Sequence, residues 1–196
     1  AVLTRYFDRR FDLKERVSTA LELAEGRIAV PGPLAELQLA DAAATYDGRF
    51  VAQSASYGPE ARGGLTRSEV VISDQEIDYP KVVRPDLLVA MNQDACDKYA
   101  SRLKPDGVLV VDSTHVSIAP PGRVYAVPIT RLAEESTGRL VTANVVALGV
   151  IVGISGAVSD AAAESAVRAR SPEGTAEVNL KALHAGLTAA RAAALQ

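Results

Sequence analysis

Residues 87–112 read LLVAMNQDACDKYASRLKPDGVLVVD, and this stretch decides the fold. Leu87–Met91 and Val108–Asp112 are short, continuous apolar runs. That is the pattern of strands buried on both faces of a sheet, not of strands with one wet face. Between them, Asp94–Leu103 has the length and composition of a helix, closed by the turn residues Pro105-Asp106-Gly107. Strand, helix and strand in this order make a βαβ unit, whose two strands run parallel. Val124–Val127 is a third run of the same kind. Upstream, Arg27–Val30 is a short apolar run ended by Pro31, and Leu34–Ala44 reads as a helix before the Asp47-Gly48 turn. Arg49–Ala55 and the β-branched Leu65–Ser73 read as strands. Downstream, Thr130–Thr137, Val141–Ile154, Asp160–Ala169 and Ala176–Leu195 read as helices, with Ala189–Ala194 as a frayed tail. The expectation is an α/β fold: a Rossmann-like, mostly parallel sheet flanked by helices, with a helical C-terminal part.

The chain has 196 residues, enough for one domain with an extension. The first 25 residues differ from the rest. Arg5, Asp8, Arg9, Arg10, Asp12, Lys14, Glu15 and Arg16 crowd around Tyr6, Phe7 and Phe11, and Val17, Leu21 and Leu23 or Ala24 then recur at helical spacing. Residues 1–25 therefore read as a charged helical extension, and 26–196 as the α/β domain. The extension either packs on its own domain or reaches another chain. Charged residues make up 23% with a net charge of −3 and no basic stripe, so nothing points to nucleic acid. The most apolar stretch, Val141–Val158, is interrupted by Gly149, Gly153 and Gly156 and is short for a bilayer. It reads as a buried helix. The single cysteine, Cys96, cannot form an intramolecular disulfide or ligate an iron–sulfur cluster alone. That cysteine usage, with a charged start lacking a signal-peptide core, leads us to expect a cytoplasmic protein without a membrane anchor.

The richest loop is Ser56-Tyr57-Gly58-Pro59-Glu60-Ala61-Arg62-Gly63-Gly64, directly after an expected strand. Its glycines let backbone N–H groups approach a ligand or a neighbouring chain. Arg62 can grip a phosphate or carboxylate in two-pronged fashion, and Glu60 can act as a base or simply hold Arg62. Loops at strand ends are where α/β folds place their sites. A dinucleotide fingerprint would follow the first strand, but that place holds Pro31-Gly32-Pro33-Leu34-Ala35-Glu36. One glycine and two prolines give too few N–H donors for a pyrophosphate. Asn92 follows a strand and reads as a helix cap, in a position that can also touch a ligand. Asp112-Ser113-Thr114-His115 contains triad residue types, yet neighbours in one loop rarely form a triad and no nucleophile elbow surrounds Ser113. His115 and His184 lack metal-ligand spacing. Asn144 opens an apolar helix, where it either ties the helix to a loop or faces a subunit interface. No residue is singled out as catalytic, and none as a metal ligand.

The loop Ser56–Gly64, followed by Ser68-Glu69-Val70-Val71-Ile72-Ser73-Asp74, resembles the gamma subunits of 2-oxoacid:ferredoxin oxidoreductases. Asn92-Gln93, Leu103-Lys104-Pro105-Asp106-Gly107 and Asn144-Val145-Val146-Ala147-Leu148-Gly149 fall in that family's order, and the likeness runs from about Gly26 to Gly186. The resemblance implies a complex that oxidatively decarboxylates a 2-oxoacid and joins the acyl group to coenzyme A. Electrons then leave through iron–sulfur clusters to ferredoxin or a related acceptor. It implies that thiamine diphosphate and the clusters sit on partner subunits of alpha, beta and iron–sulfur (delta) type, and that this chain is inactive alone. It places Ser56, Tyr57, Gly58, Pro59, Glu60, Arg62, Gly63 and Gly64, with Asn92 and Asn144, near the coenzyme A channel or a subunit interface. The segment 31–36 departs from the glycine-rich turn of many relatives. Ile77-Asp78-Tyr79-Pro80 looks closest to 2-oxoglutarate-type and phenylglyoxylate-type members.

Overall fold

A computed structural model of the chain describes residues 44–56, 67–79 and 81–194. The expected strand at 27–30, most of the helix at 34–44, the extension 1–25, the turn 31–36 and the loop 57–64 lie outside the described residues.

Strands β3 (Leu87–Ala90), β4 (Val108–Asp112) and β5 (Arg123–Val127) form a parallel sheet in the order β3-β4-β5. The βαβ reading of residues 87–112 is borne out. Helix α1 (Gln93–Tyr99) continues as a 3-10 turn, Ala100–Arg102, and returns the chain to β4. All five residues of β4 are buried, as its apolar run requires, whereas β3 and β5 are partly exposed along their lengths. The expectation of double burial therefore holds fully for the central strand alone.

β4 also divides the core. Val108 and Val110 belong to one apolar cluster and Leu109 and Val111 to the other, because successive side chains point to opposite faces. The first face is covered by α2 (Ile129–Thr137), α3 (Ala143–Ser155), α4 (Asp160–Arg170) and α5 (Ala176–Ala193). The second is covered by α1 and by residues 113–122, which cross from β4 to β5 without a helix.

α3 is the buried helix that its composition predicts, with seven buried residues from Val145 to Val152. It packs against α5 almost backbone to backbone. A Cβ on Gly149 would stand 2.3 Å from Leu183 O, and one on Gly186 would stand 2.1 Å from Val146 O. Gly153 faces the Ala190 methyl in the same way, at 2.6 Å. This contact corrects the reading of 189–194 as a frayed tail. Ala190 is fully buried because only a small side chain fits against Gly153.

β1 (Phe50–Ser56) and β2 (Arg67–Ser73) stand apart from the parallel sheet as an antiparallel pair, with Ser56 opposite Arg67 and Phe50 opposite Ser73. No helix is expected between these runs in the sequence, so a hairpin is the short connection available to them. Val51 and Ile72, which face each other across the pair, pack on the first-face core.

Candidate functional site

The C-terminal ends of parallel strands are where an α/β sheet offers groups to a ligand. At the end of β3, Asn92 is extended and its Oδ1 accepts the Ala95 N–H at 2.8 Å, capping α1 as the sequence suggested. Gln93 then reaches across to the crossing segment. Its Oε1 accepts from Ser117 N and Ile118 N at 3.0 and 3.1 Å, while its Nε2 donates to Ile118 O and to Asp97 Oδ1, both at 2.8 Å. One side chain thus supplies the hydrogen bonds a neighbouring strand or helix would otherwise give to these backbone groups. The sequence reading gave Gln93 no role of its own.

At the end of β4, Asp112 is completely buried. Its Oδ1 accepts from Thr114 N at 3.0 Å, and its Oδ2 accepts from Thr130 Oγ1 at 2.5 Å and Thr130 N at 3.2 Å. A carboxylate this deep needs several donors, and it finds them in its own loop and in the first turn of α2. The Asp112 main-chain carbonyl accepts from His115 N and Val116 N, both at 2.9 Å. The turn so formed leaves Ser113, Thr114 and His115 exposed, and the Ser113, His115 and Asp112 side chains make no hydrogen bond to one another. Asp112 is a latch between β4 and α2, not part of a triad. His184 lies elsewhere, 2.8 Å from Glu164 Oε1 on the helical layer. Among the described residues no group of His, Cys, Asp and Glu could hold a metal ion.

Cys96 is buried in the second-face core, with its Sγ 3.8 Å from Ile118 O. Burial pushes its thiol up from the ordinary value, and the nearby Asp97 charge adds to the effect. The thiol is thus held neutral, the state of a packing residue and not of a nucleophile. It lies at the floor of an open cleft of about 780 Å³ between α1 and the crossing segment, lined also by Leu103, Lys104, Leu109, Pro120 and Val124.

The loop 57–64 joins strands whose ends, Ser56 and Arg67, are paired. Just inside, Glu69 Oε2 accepts from Ser54 Oγ at 3.1 Å and from Val82 N at 3.4 Å, tying the hairpin to the segment that leads into β3. Asn144 sits in the first turn of α3, with its Oδ1 accepting from Val145 N at 2.9 Å. Asn92 and Asn144 are not brought together. One opens the helix on the second face, and the other opens a helix on the first.

These observations define an α/β unit on a parallel sheet, whose strand-end polar groups hold its own loops. Comparison with known proteins agrees. The chain matches the family described as pyruvate ferredoxin/flavodoxin oxidoreductase over residues 34–189. The KorC subunit of 2-oxoglutarate synthase from Methanothermobacter thermautotrophicus is 47% identical over 161 residues, which is 78% of this chain and 85% of that subunit. The gamma subunit of a keto/oxoacid ferredoxin oxidoreductase from Geobacter sulfurreducens superposes with a TM-score of 0.71 at 47% identity, covering 82% of this chain and 91% of that one. The 2-oxoglutarate:ferredoxin oxidoreductase from Magnetococcus marinus, solved with 2-oxoglutarate, coenzyme A and succinyl-CoA bound, shares the fold. That match has a TM-score of 0.72 at 22% identity and spans 82% of this chain and 29% of the longer one. The chain belongs to the pyruvate ferredoxin/flavodoxin oxidoreductase family, as a gamma-type member. Among the described residues no helix is long and apolar enough to cross a membrane.

Proposed function

We propose that this chain is the non-redox gamma subunit of a coenzyme A-acylating 2-oxoacid:ferredoxin oxidoreductase, and that the 2-oxoacid is 2-oxoglutarate and not phenylglyoxylate. The observation that carries this reading is the match to a 2-oxoglutarate synthase subunit at 47% identity over 85% of that subunit's length. In such a complex the acid loses carbon dioxide and the acyl group passes to the coenzyme A sulfur. The electron pair released goes one electron at a time to ferredoxin. Thiamine diphosphate, which would supply the electron sink for the decarboxylation, and the iron–sulfur clusters belong on alpha, beta and delta-type partners. This chain's own residues agree with that division. It has one cysteine, which is buried, so the chain alone cannot ligate a cluster. The isolated chain is inactive on this reading, and it works in the cytoplasm beside its partners.

Residues 26–196 form the gamma domain in this proposal, and 1–25 a separate extension. The family match begins at residue 34 and leaves the extension out. The coenzyme A contact is assigned to Ser56, Tyr57, Gly58, Pro59, Glu60, Arg62, Gly63 and Gly64, which run in the sequence from the last residue of β1 towards β2, with Arg62 as the anion-binding group. Asn92 has its side-chain carbonyl engaged as a cap, which leaves its amide N–H groups to donate.

In the assembled complex, Arg62→Ala raises the KM for coenzyme A roughly tenfold or more, as expected for loss of a charge-assisted contact. The KM for the 2-oxoacid stays unchanged. An unaltered coenzyme A KM in an intact complex removes that role from Arg62, and a KM that survives changes throughout residues 57–64 makes the subunit a purely structural adaptor instead.

A further inference from the structure

Glu69 stands in the middle of β2, a position where strands seldom hold a carboxylate. It is half-buried, so it needs donors in place of the water it has lost. It finds them on two other pieces of chain. Ser54, its partner across the β1–β2 pair, donates from Oγ to Glu69 Oε2 at 3.1 Å. Val82, in the segment that leads into β3, donates its N–H to the same oxygen at 3.4 Å. One side chain thus joins β1, β2 and the entry to β3.

The face on which this happens decides what the tie can do. Successive residues of a strand point to opposite faces. Val51 and Ile72 are opposite one another and pack on the first-face core. Ser54 and Glu69 are each an odd number of residues from them, so they lie on the other face of the pair. A two-stranded pair is marginal on its own and takes its orientation from what it is tied to. Packing fixes one face, and the bonds to Glu69 fix the other. Just beyond Ser54, β1 ends at Ser56, opposite Arg67, at the last rung of the pair. Residues 57–64, to which the coenzyme A contact is assigned above, follow directly in the sequence.

We propose that Glu69 is a positioning residue for coenzyme A binding. It does not touch the coenzyme. It holds the strand ends at Ser56 and Arg67 in the orientation from which residues 57–64 meet the ligand. Without the tie the pair samples other tilts on its apolar face, and coenzyme A binds only the fraction that is correctly set. A smaller fraction weakens the apparent affinity in proportion and leaves the chemical step alone. This inference rests on the coenzyme A reading above and adds a residue outside the binding segment on which that binding depends.

The test uses the full chain assembled with the partner subunits of its complex. The rate of ferredoxin reduction is followed as coenzyme A and the 2-oxoacid are varied in turn. Glu69→Ala should raise the KM for coenzyme A roughly fivefold, with kcat and the KM for the 2-oxoacid unchanged. Glu69→Gln keeps an oxygen that can accept both bonds, and should return the KM to within about twofold of the unaltered complex. A general loss of stability would lower recovery of the complex without this split or this rescue. Where Glu69→Ala does not assemble, Ser54→Ala removes one donor only and should raise the same KM about twofold. A coenzyme A KM that these changes leave unmoved overturns the proposal. So does a change that appears in kcat or equally in both KM values, and so does a Glu69→Gln complex as impaired as Glu69→Ala. Arg62→Ala, measured alongside, separates the two readings. If it raises the coenzyme A KM and Glu69→Ala does not, the positioning role fails and the coenzyme A reading stands. If neither raises it, both fall.

Discussion

The two faces of the parallel sheet are built on different principles. The first carries four helices, and at its centre α3 and α5 touch through Gly149 and Gly186 with no room for a side chain between them. The second carries one short helix and a crossing segment, fastened by hydrogen bonds from a single glutamine. Close packing of apolar surface holds the first face, and its tolerance for change is small. Directional polar contacts hold the second, and it is therefore the face expected to open locally while the rest stays folded.

The largest expected effect breaks the first face. Gly186→Val drives a branched side chain into the Val146 carbonyl, a main-chain atom that cannot swing away. Overpacking of this kind costs roughly 3 kcal/mol or more. For a chain of this length that is a fall in Tm of about 6 °C or more by calorimetry. A Tm within about 2 °C of the unaltered chain would show that the two helices can part without penalty, and the contrast between the faces would lose its basis.

A smaller effect sharpens the contrast on the second face. Gln93→Ala removes the acceptor for Ser117 N and Ile118 N and the donor to Ile118 O, all partly open to water. The loss is about 1–2 kcal/mol, confined to the crossing segment. The readout is Cys96, buried under that segment. Its rate of modification by a thiol reagent should rise roughly 5- to 30-fold, the factor that such an energy implies for a local opening. The global Tm should fall by much less than for Gly186→Val. A labelling rate that tracks global unfolding in both variants would mean that the second face has no separate opening.

This difference also explains what could be read from the amino-acid order. The strands and α1 within residues 87–112 were legible because apolar runs, turn residues and a capping Asn92 are local signals, each within a few residues of its effect. The buried character of α3 was legible for the same reason. The antiparallel β1–β2 pair was less so, because strand direction depends on how two runs meet, and the runs alone do not say. Asp112 and Gln93 escaped because their partners are far along the chain, at Thr130 and at Ser117 and Ile118. Nothing in the composition near either residue marks such a contact. The close approach at Gly149 needs Gly186 on another helix, so the glycines of 141–158 read only as interruptions. For the candidate site, Asn92 as a cap was legible, and its separation from Asn144 across the sheet was not.

The smallest effect concerns a polar tie from the turn before β1 to the helical layer. The Asp47 carboxylate accepts the Ser159 N–H at 2.6 Å and the Ser159 hydroxyl at 2.7 Å, while Ser159 Oγ also accepts Ala162 N at 3.1 Å as the cap of α4. The Ser159 amide, then its hydroxyl, hold the Asp47 pKa below its ordinary value, with Arg49 adding a weaker pull in the same direction. A carboxyl whose pKa is depressed on folding favours the folded chain above its unfolded pKa. That contribution is lost as the pH drops through the folded one. Asp47→Asn should therefore lower Tm by about 1–2 °C at neutral pH, as expected for an exposed contact. The gap should hold down to about pH 5, begin to close near pH 4, and vanish once the unaltered carboxyl is protonated in the folded chain. Thermal melts of both chains from pH 7 to pH 3 measure it. A gap that stays constant into acid would assign the tie to the shape of the turn and not to the carboxylate charge, and the hairpin would then be joined to the helical layer by packing through Val51 and Ile72.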